Sequence, residues 1–188
     1  WRQMDTRNGE PDDDWVLMDE IVGCAEQQLN IDDRHVHSLG MSAGGLHTAQ
    51  LVFGRSSYLA SAAVYSGGLA ADITVTPAYQ DLTNRIPVLV YHGGCRDTAA
   101  LVLPFAWTSD RFLQVLEREG HWTHLCVHRG GHRAPPHVRA SDSGWVEPGD
   151  DQRSARSTYQ FFKDHPYGQP SPYVDGLAPD IFPSYCFK

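Results

Sequence analysis

Residues able to do chemistry stand in three short stretches of this 188-residue chain: "HVHSLGMSAGG" from His35, "HGGCRDT" from His92 and "HRGGH" from His128. The first sets Ser42 in a Gly-x-Ser-x-Gly pattern, between Gly40 and Gly44 and followed by Gly45. The second offers Asp97 and the third His132. A serine hydroxyl alone is a poor nucleophile. An imidazole within reach takes its proton, and a carboxylate behind the imidazole holds the correct tautomer. Ser42, Asp97 and His132 are therefore the candidate nucleophile, acid and base of an acyl-transfer site.

Each has a duller reading. Ser42 could sit in a plain glycine turn. Asp97 competes with Asp110, which reads as a helix-capping residue, and with Asp72 and Asp81 in turn-like stretches. His132 competes with nine other histidines. His35 and His37 read as packing or hydrogen-bonded residues two apart on the strand before Ser42. His121, His124, His128, His132 and His137 invite a metal reading, but none forms an HExxH arrangement and their spacings straddle a strand and a loop. No metal is expected.

Position separates these readings, and position depends on the elements. "PDDDWVLMDEIVGCAEQQLN" carries apolar residues at helical spacing behind an acidic start from Asp12 to Asp14. "RHVHSLGM" reads as a short strand, "SAGGLHTAQLVFG" as a helix ending at Gly54, and "LASAAVYSGG" as a second strand closing in a glycine turn. "IPVLVYHGG" is a near-continuous apolar run, the pattern of a strand covered on both faces. "PFAWTSDRFLQVLEREG" predicts a helix with Phe105, Phe112, Val115 and Leu116 inward and Gly120 as its stop. "HWTHLCVHRGGH" predicts a last strand, and a helix follows near Gln152–Lys163. Residues 164–188 hold five prolines and are expected to form an irregular tail strapped across the body. Alternating helices and strands of this length give a mostly parallel sheet flanked by helices, with working residues at the carboxyl ends of the strands.

Ser42, Asp97 and His132 each follow a strand in this reading, in the chain order Ser, Asp, His. That order belongs to the α/β-hydrolases, whose serine sits on a sharp strand-to-helix turn. The glycines would let strand and helix approach there, and the amide of Ala43 would face the forming oxyanion. Trp122 and Trp145 flank the His132 loop and are candidates to line a substrate cleft, with packing as their alternative role.

"NIDDRHVHSLGMSAGG", "PVLVYHGGCRDT", "GHWTHLCVHRGGHRAP" and "FFKDHP" together resemble the secreted α/β-hydrolases of the poly(3-hydroxybutyrate) depolymerase-like group, to which feruloyl and acetylxylan esterases also belong. The resemblance runs from Trp1 to about Pro166. It implies a serine carboxylic-ester hydrolase acting on a small-molecule or polymeric ester, such as a polyester or a plant-wall polysaccharide ester. It also implies that no cofactor is used, and an exported, secreted or periplasmic protein. Cys95 and Arg96 in the acid loop, and Arg129 beside the base, depart from the group's pattern and leave the substrate open. An amidase or peptidase using the same three residues is an alternative within enzymes. A truncated fold serving as a non-catalytic binding domain is the alternative outside them.

The fold class implied is an α/β-hydrolase fold lacking its N-terminal strands. No oxyanion loop of the "HG" type precedes Ser42, and only one helix does. Residues 1–188 are thus expected to form a single, N-terminally incomplete domain, either the later part of a larger enzyme or a natural truncation. The strand carrying Ser42 would then be an edge, open to completion by a partner chain or a second copy. The chain opens on Trp1 with no leader pattern, as a processed or cut chain would.

Composition narrows the field from another side. A net charge of −8, with 13 Arg and 2 Lys scattered along the chain, argues against a nucleic-acid surface. A mean hydropathy of −0.40 and the lack of any long apolar run argue against a membrane span. The four cysteines, Cys24, Cys95, Cys126 and Cys186, form no CxxC pair. They fit free thiols or one or two disulfides, and an even count suits an exported chain.

Overall fold

The computed structural model describes residues 13–70, 79–99, 103–134 and 151–187. Trp1, Asp12, Asp72, His137 and Trp145 lie outside the described residues. Four parallel strands make the main sheet: β1 (His37–Met41), β2 (Ser61–Tyr65), β3 (Val88–His92) and β6 (Thr123–Val127), in the order β1-β2-β3-β6. Helix α1 (Asp13–Gln28) precedes β1, α2 (Ala43–Gly54) joins β1 to β2, and α3 (Phe105–Arg118) leads into β6. Helix α4 (Asp151–Lys163) follows the last strand. Together these elements form a parallel sheet flanked by helices, the α/β class expected from the sequence.

Strand alternation divides the core in two. Ala62, Val64, Val88 and Val90 join Val52, Phe53, Phe112 and Leu116 of α2 and α3 in one cluster. Ala63, Tyr65, Leu89 and Tyr91 point the other way, into a cluster with Phe161 of α4 and Leu177 and Phe182 of the tail. β2 and β3 are buried along their whole length because both faces are covered. This is why "VLVYH" is apolar without a period of two.

Among the described residues β1 pairs with β2 alone, so it is an edge of the sheet. Leu39, at its centre, is 55% exposed. The strand is also shorter than the sequence pattern indicates. His35 lies in a 3₁₀ turn, Asp33–His35, and not on the strand, because the Asp32 side chain accepts the Arg34 N–H and caps that turn. A two-stranded antiparallel ribbon of β4 (Thr98–Ala99) and β5 (Leu103–Pro104) was not foreseen in the sequence; it lies between Asp97 and α3.

Residues 164–187 hold one short 3₁₀ turn, Ser184–Cys186. A disulfide between Cys126 and Cys186 ties that turn to β6, and the Cys186 carbonyl accepts a hydrogen bond from His124 Nε2. Cys24 and Cys95 are free and exposed. The bridge spans 60 residues, so opening it restores chain freedom to the unfolded state. Reduction should lower the unfolding free energy by about 2–4 kcal/mol, read as a lower denaturation midpoint with reductant present. An unchanged midpoint would contradict this.

Candidate active site

The carboxyl ends of β1, β2, β3 and β6 lie side by side, with Met41 opposite Tyr65, Tyr65 opposite Tyr91 and Tyr91 opposite Cys126. Ser42 follows β1 at once, with φ of +58° and ψ of −121°, and heads α2. Its N–H donates to the Tyr65 carbonyl at 3.0 Å, and its own carbonyl accepts from Leu46 N–H at 3.0 Å. A positive φ is unfavourable for a residue with a Cβ. The conformation persists because strand pairing on one side and the helix on the other both fix it.

The glycines around Ser42 are not equivalent. A Cβ on Gly40 would lie 2.0 Å from the Gly44 carbonyl oxygen, and one on Gly45 would lie 2.7 Å from that of Tyr65. A Cβ on Gly44 would meet nothing within 4 Å. Close approach thus requires Gly40 and Gly45, whereas Gly44 only leaves the first turn of α2 uncovered.

His132 brings the site together. Ser42 Oγ donates to His132 Nε2 across 3.0 Å, and His132 Nδ1 donates to Asp97 Oδ1 at 2.8 Å. The second carboxylate oxygen, Oδ2, accepts from Ser66 Oγ and from Gly93 N–H, each at 2.7 Å. The Asp97 side chain is fully buried, while that of His132 is 27% exposed. The Phe105 ring stacks on the imidazole with centroids 4.7 Å apart and planes 8° from parallel. Phe105 is placed for this by its N–H, which donates to the Asp97 carbonyl at 2.9 Å.

The loops that carry Asp97 and His132 are locked together through backbone. Gly131 N–H donates to the Gly93 carbonyl at 3.2 Å, and a Cβ on Gly93 would fall 2.0 Å from the Gly131 oxygen. His128 supports the same loop, its Nδ1 accepting the Gly130 N–H at 3.2 Å. That acceptor role leaves the imidazole proton on Nε2, which is buried without a hydrogen-bond partner among the described residues. Burial holds His128 neutral and pushes its pKa down to about 4.

Of the residues singled out in the sequence, Ser42, Asp97 and His132 are brought together, and Ala43 opens α2 beside them. Trp122 is not at this end of the sheet. It precedes β6, its carbonyl accepting from Val88 N–H, and so stands at the amino end of the parallel strands. There its Nε1 donates to the Tyr173 carbonyl, and the ring packs beside Phe161 and His165. Asp110 is exposed on α3, and Asp81 caps a turn at Thr83. His121 bonds Ile86 and Tyr79, and His165 bonds Phe161 and Ser171. Among the described residues no three His, Cys, Asp or Glu side chains gather as a metal-holding group. No helix there is long and apolar enough to cross a membrane.

Two contributors were missed in the sequence, Ser66 and Phe105. Ser66 had a signal, because "YSGG" places it at the carboxyl end of β2, where working residues of a parallel sheet collect. The stack of Phe105 on His132 had no local signal, since it depends on the β4–β5 ribbon folding back.

The parallel sheet, its order and the turn at Ser42 define an α/β-hydrolase fold. Solved structures share it. The native structure of pOPH aligns with a TM-score of 0.70 at 17% identity, over 88% of this chain and 56% of that one. That of sOPH aligns at 0.65 and 15%, over 89% and 57%. The acylaminoacyl peptidase of Pyrococcus horikoshii aligns at 0.56 and 15%, over 84% and 28%. This chain therefore spans little more than half the length of pOPH or sOPH. No protein-family model matches the sequence, and no curated protein matches it.

Two outcomes follow from this geometry. Gly40→Ala should destabilise the fold by several kcal/mol, because backbone has to move, while Gly44→Ala should be neutral or stabilising by roughly 0.5–1 kcal/mol. Urea titration of both variants checks this, and equal losses would contradict it. His128 is neutral when folded, with its pKa near 4, and titrates near 6.5 when unfolded. The unfolded chain therefore binds the extra proton first. The contribution is complete above pH 6.5 and is lost as pH falls towards 4, on the order of 3 kcal/mol in all. Denaturation midpoints stepped through that window should fall more steeply in wild type than in His128→Asn, and parallel curves would contradict the assignment.

Proposed function

We propose that this chain is a serine carboxylic-ester hydrolase in which Ser42 is the nucleophile, His132 the general base and Asp97 the orienting acid. The continuous hydrogen-bonded line from Ser42 Oγ through His132 to the buried Asp97 carboxylate is the observation that carries this reading. His132 Nε2 takes the hydroxyl proton as Ser42 Oγ attacks the ester carbonyl carbon. The resulting oxyanion lies at the start of α2, where the Ala43 amide and the positive end of the helix dipole favour negative charge. Collapse of that intermediate breaks the bond to the alcohol oxygen, which leaves with the proton from His132. Water then attacks the acyl-serine by the same route in reverse, releasing the acid and restoring Ser42.

Asp97 accepts from His132 Nδ1 and stabilises the imidazolium formed at each step. The resemblance of the motifs to those of poly(3-hydroxybutyrate) depolymerase-like esterases supports an acyl ester of a polyester or a plant-wall polysaccharide as the substrate class. Among the structural neighbours, a serine-to-alanine variant of pOPH forms a complex with pNPB. The Cys126–Cys186 bridge supports an oxidising, exported setting.

Hydrolysis of p-nitrophenyl acetate and butyrate by wild type and by Ser42→Ala tests the reading. The variant should lose on the order of 10³-fold or more in kcat with its unfolding midpoint unchanged. Equal rates in the two proteins would end the proposal.

A further inference from the structure

Among the described residues two non-glycine positions have a positive φ, Ser42 at +58° and Ser66 at +45°. The elbow accounts for the first. The second follows β2 directly and precedes Gly67 and Gly68, so this turn already uses glycine where it needs it. Gly68 has φ of +113°, and a Cβ on Gly67 would lie 2.5 Å from the Gly45 carbonyl carbon. At Ser66 a glycine would suit the backbone better than any L residue. What a glycine would lack is the hydroxyl.

That hydroxyl reaches the Asp97 carboxylate. Ser66 is 1% exposed, its N–H donates to the Tyr91 carbonyl at 2.7 Å, and its Oγ donates to Asp97 Oδ2 at 2.7 Å. With Gly93 N–H on the same oxygen, Oδ2 is held by two donors, which turns Oδ1 towards His132 Nδ1. The terminal torsion of an aspartate is soft, so one donor on Oδ2 restrains it less than two. Ser42 N–H bonds the carbonyl of Tyr65, the residue before Ser66, so the end of β2 contacts nucleophile and acid at once.

We propose that Ser66 is a positioning residue for Asp97: its strained backbone is retained because its hydroxyl fixes the carboxylate that orients His132. This rests on the reading of Ser42 as a nucleophile. The competing account is structural, in which the hydroxyl merely satisfies a buried carboxylate.

Ser66→Gly separates the two, since it removes the hydroxyl while relieving the backbone, and Ser66→Ala removes the hydroxyl alone. Both are assayed on p-nitrophenyl butyrate beside wild type and Ser42→Ala, with unfolding midpoints and the proton resonance of His132 Nδ1–H recorded. Losing a hydrogen bond to a charged group should lower kcat roughly 10- to 100-fold in both variants, with KM within about twofold. The unfolding midpoint of Ser66→Gly should not fall in proportion, and the Nδ1 proton should broaden through exchange with water. A Ser66→Gly enzyme with wild-type kcat overturns the proposal. If wild type is no faster than Ser42→Ala, the esterase reading fails instead. The Nδ1 proton then decides for Ser66: broadening in Ser66→Gly upholds the positioning role, and an unaltered line overturns it.

Discussion

A carboxylate taken out of water costs several kcal/mol unless its lone pairs are met by well-placed donors. The Asp97 side chain is fully buried, and its donors come from three different strand ends: Ser66 after β2, Gly93 after β3 and His132 after β6. These bonds hold only while the strands keep their register, with Tyr65 beside Tyr91 and His92 beside Val127. The sheet therefore carries the site, and the site in turn depends on the sheet being intact. Phe105 extends the arrangement: its amide binds the Asp97 carbonyl and its ring backs the imidazole.

Close backbone approach is the second constraint. Gly40 against Gly44, Gly45 against Gly67, and Gly93 against Gly131 bring three pairs of segments nearer than any Cβ permits. The first two contacts set the turn at Ser42, and the third sets the Asp97 loop against the His132 loop. Among the described residues, positive φ at non-glycine positions is confined to the two serines that touch this network.

Much of this was legible in the sequence because it is local. The continuous apolar run of "VLVYH" marks a strand buried on both faces, and "GMSAGG" between strand and helix marks an elbow. Strand ends then select Asp97 over Asp110, and His132 over histidines that lie on strands. What was not legible depends on distant contacts. The 3₁₀ turn at Asp33–His35 won over the strand pattern because a single aspartate caps it. The cysteine pairing awaited the path of the tail, which brings Cys186 against β6. Trp122, four residues before Cys126 and near the base in sequence, lies at the far end of the sheet because a parallel strand separates them. Ser66 carries the same strand-end signal, since it directly follows β2.

The edge position of β1 gives the fold an unfinished side among the described residues, with Leu39 open to solvent at its centre. Ser42 directly follows this same strand. The most direct test of the account is mapping of a fluorophosphonate adduct by peptide mass spectrometry. The account predicts phosphonylation of Ser42 in wild type and its loss in His132→Ala. An unmodified Ser42, or labelling that persists without His132, would contradict it.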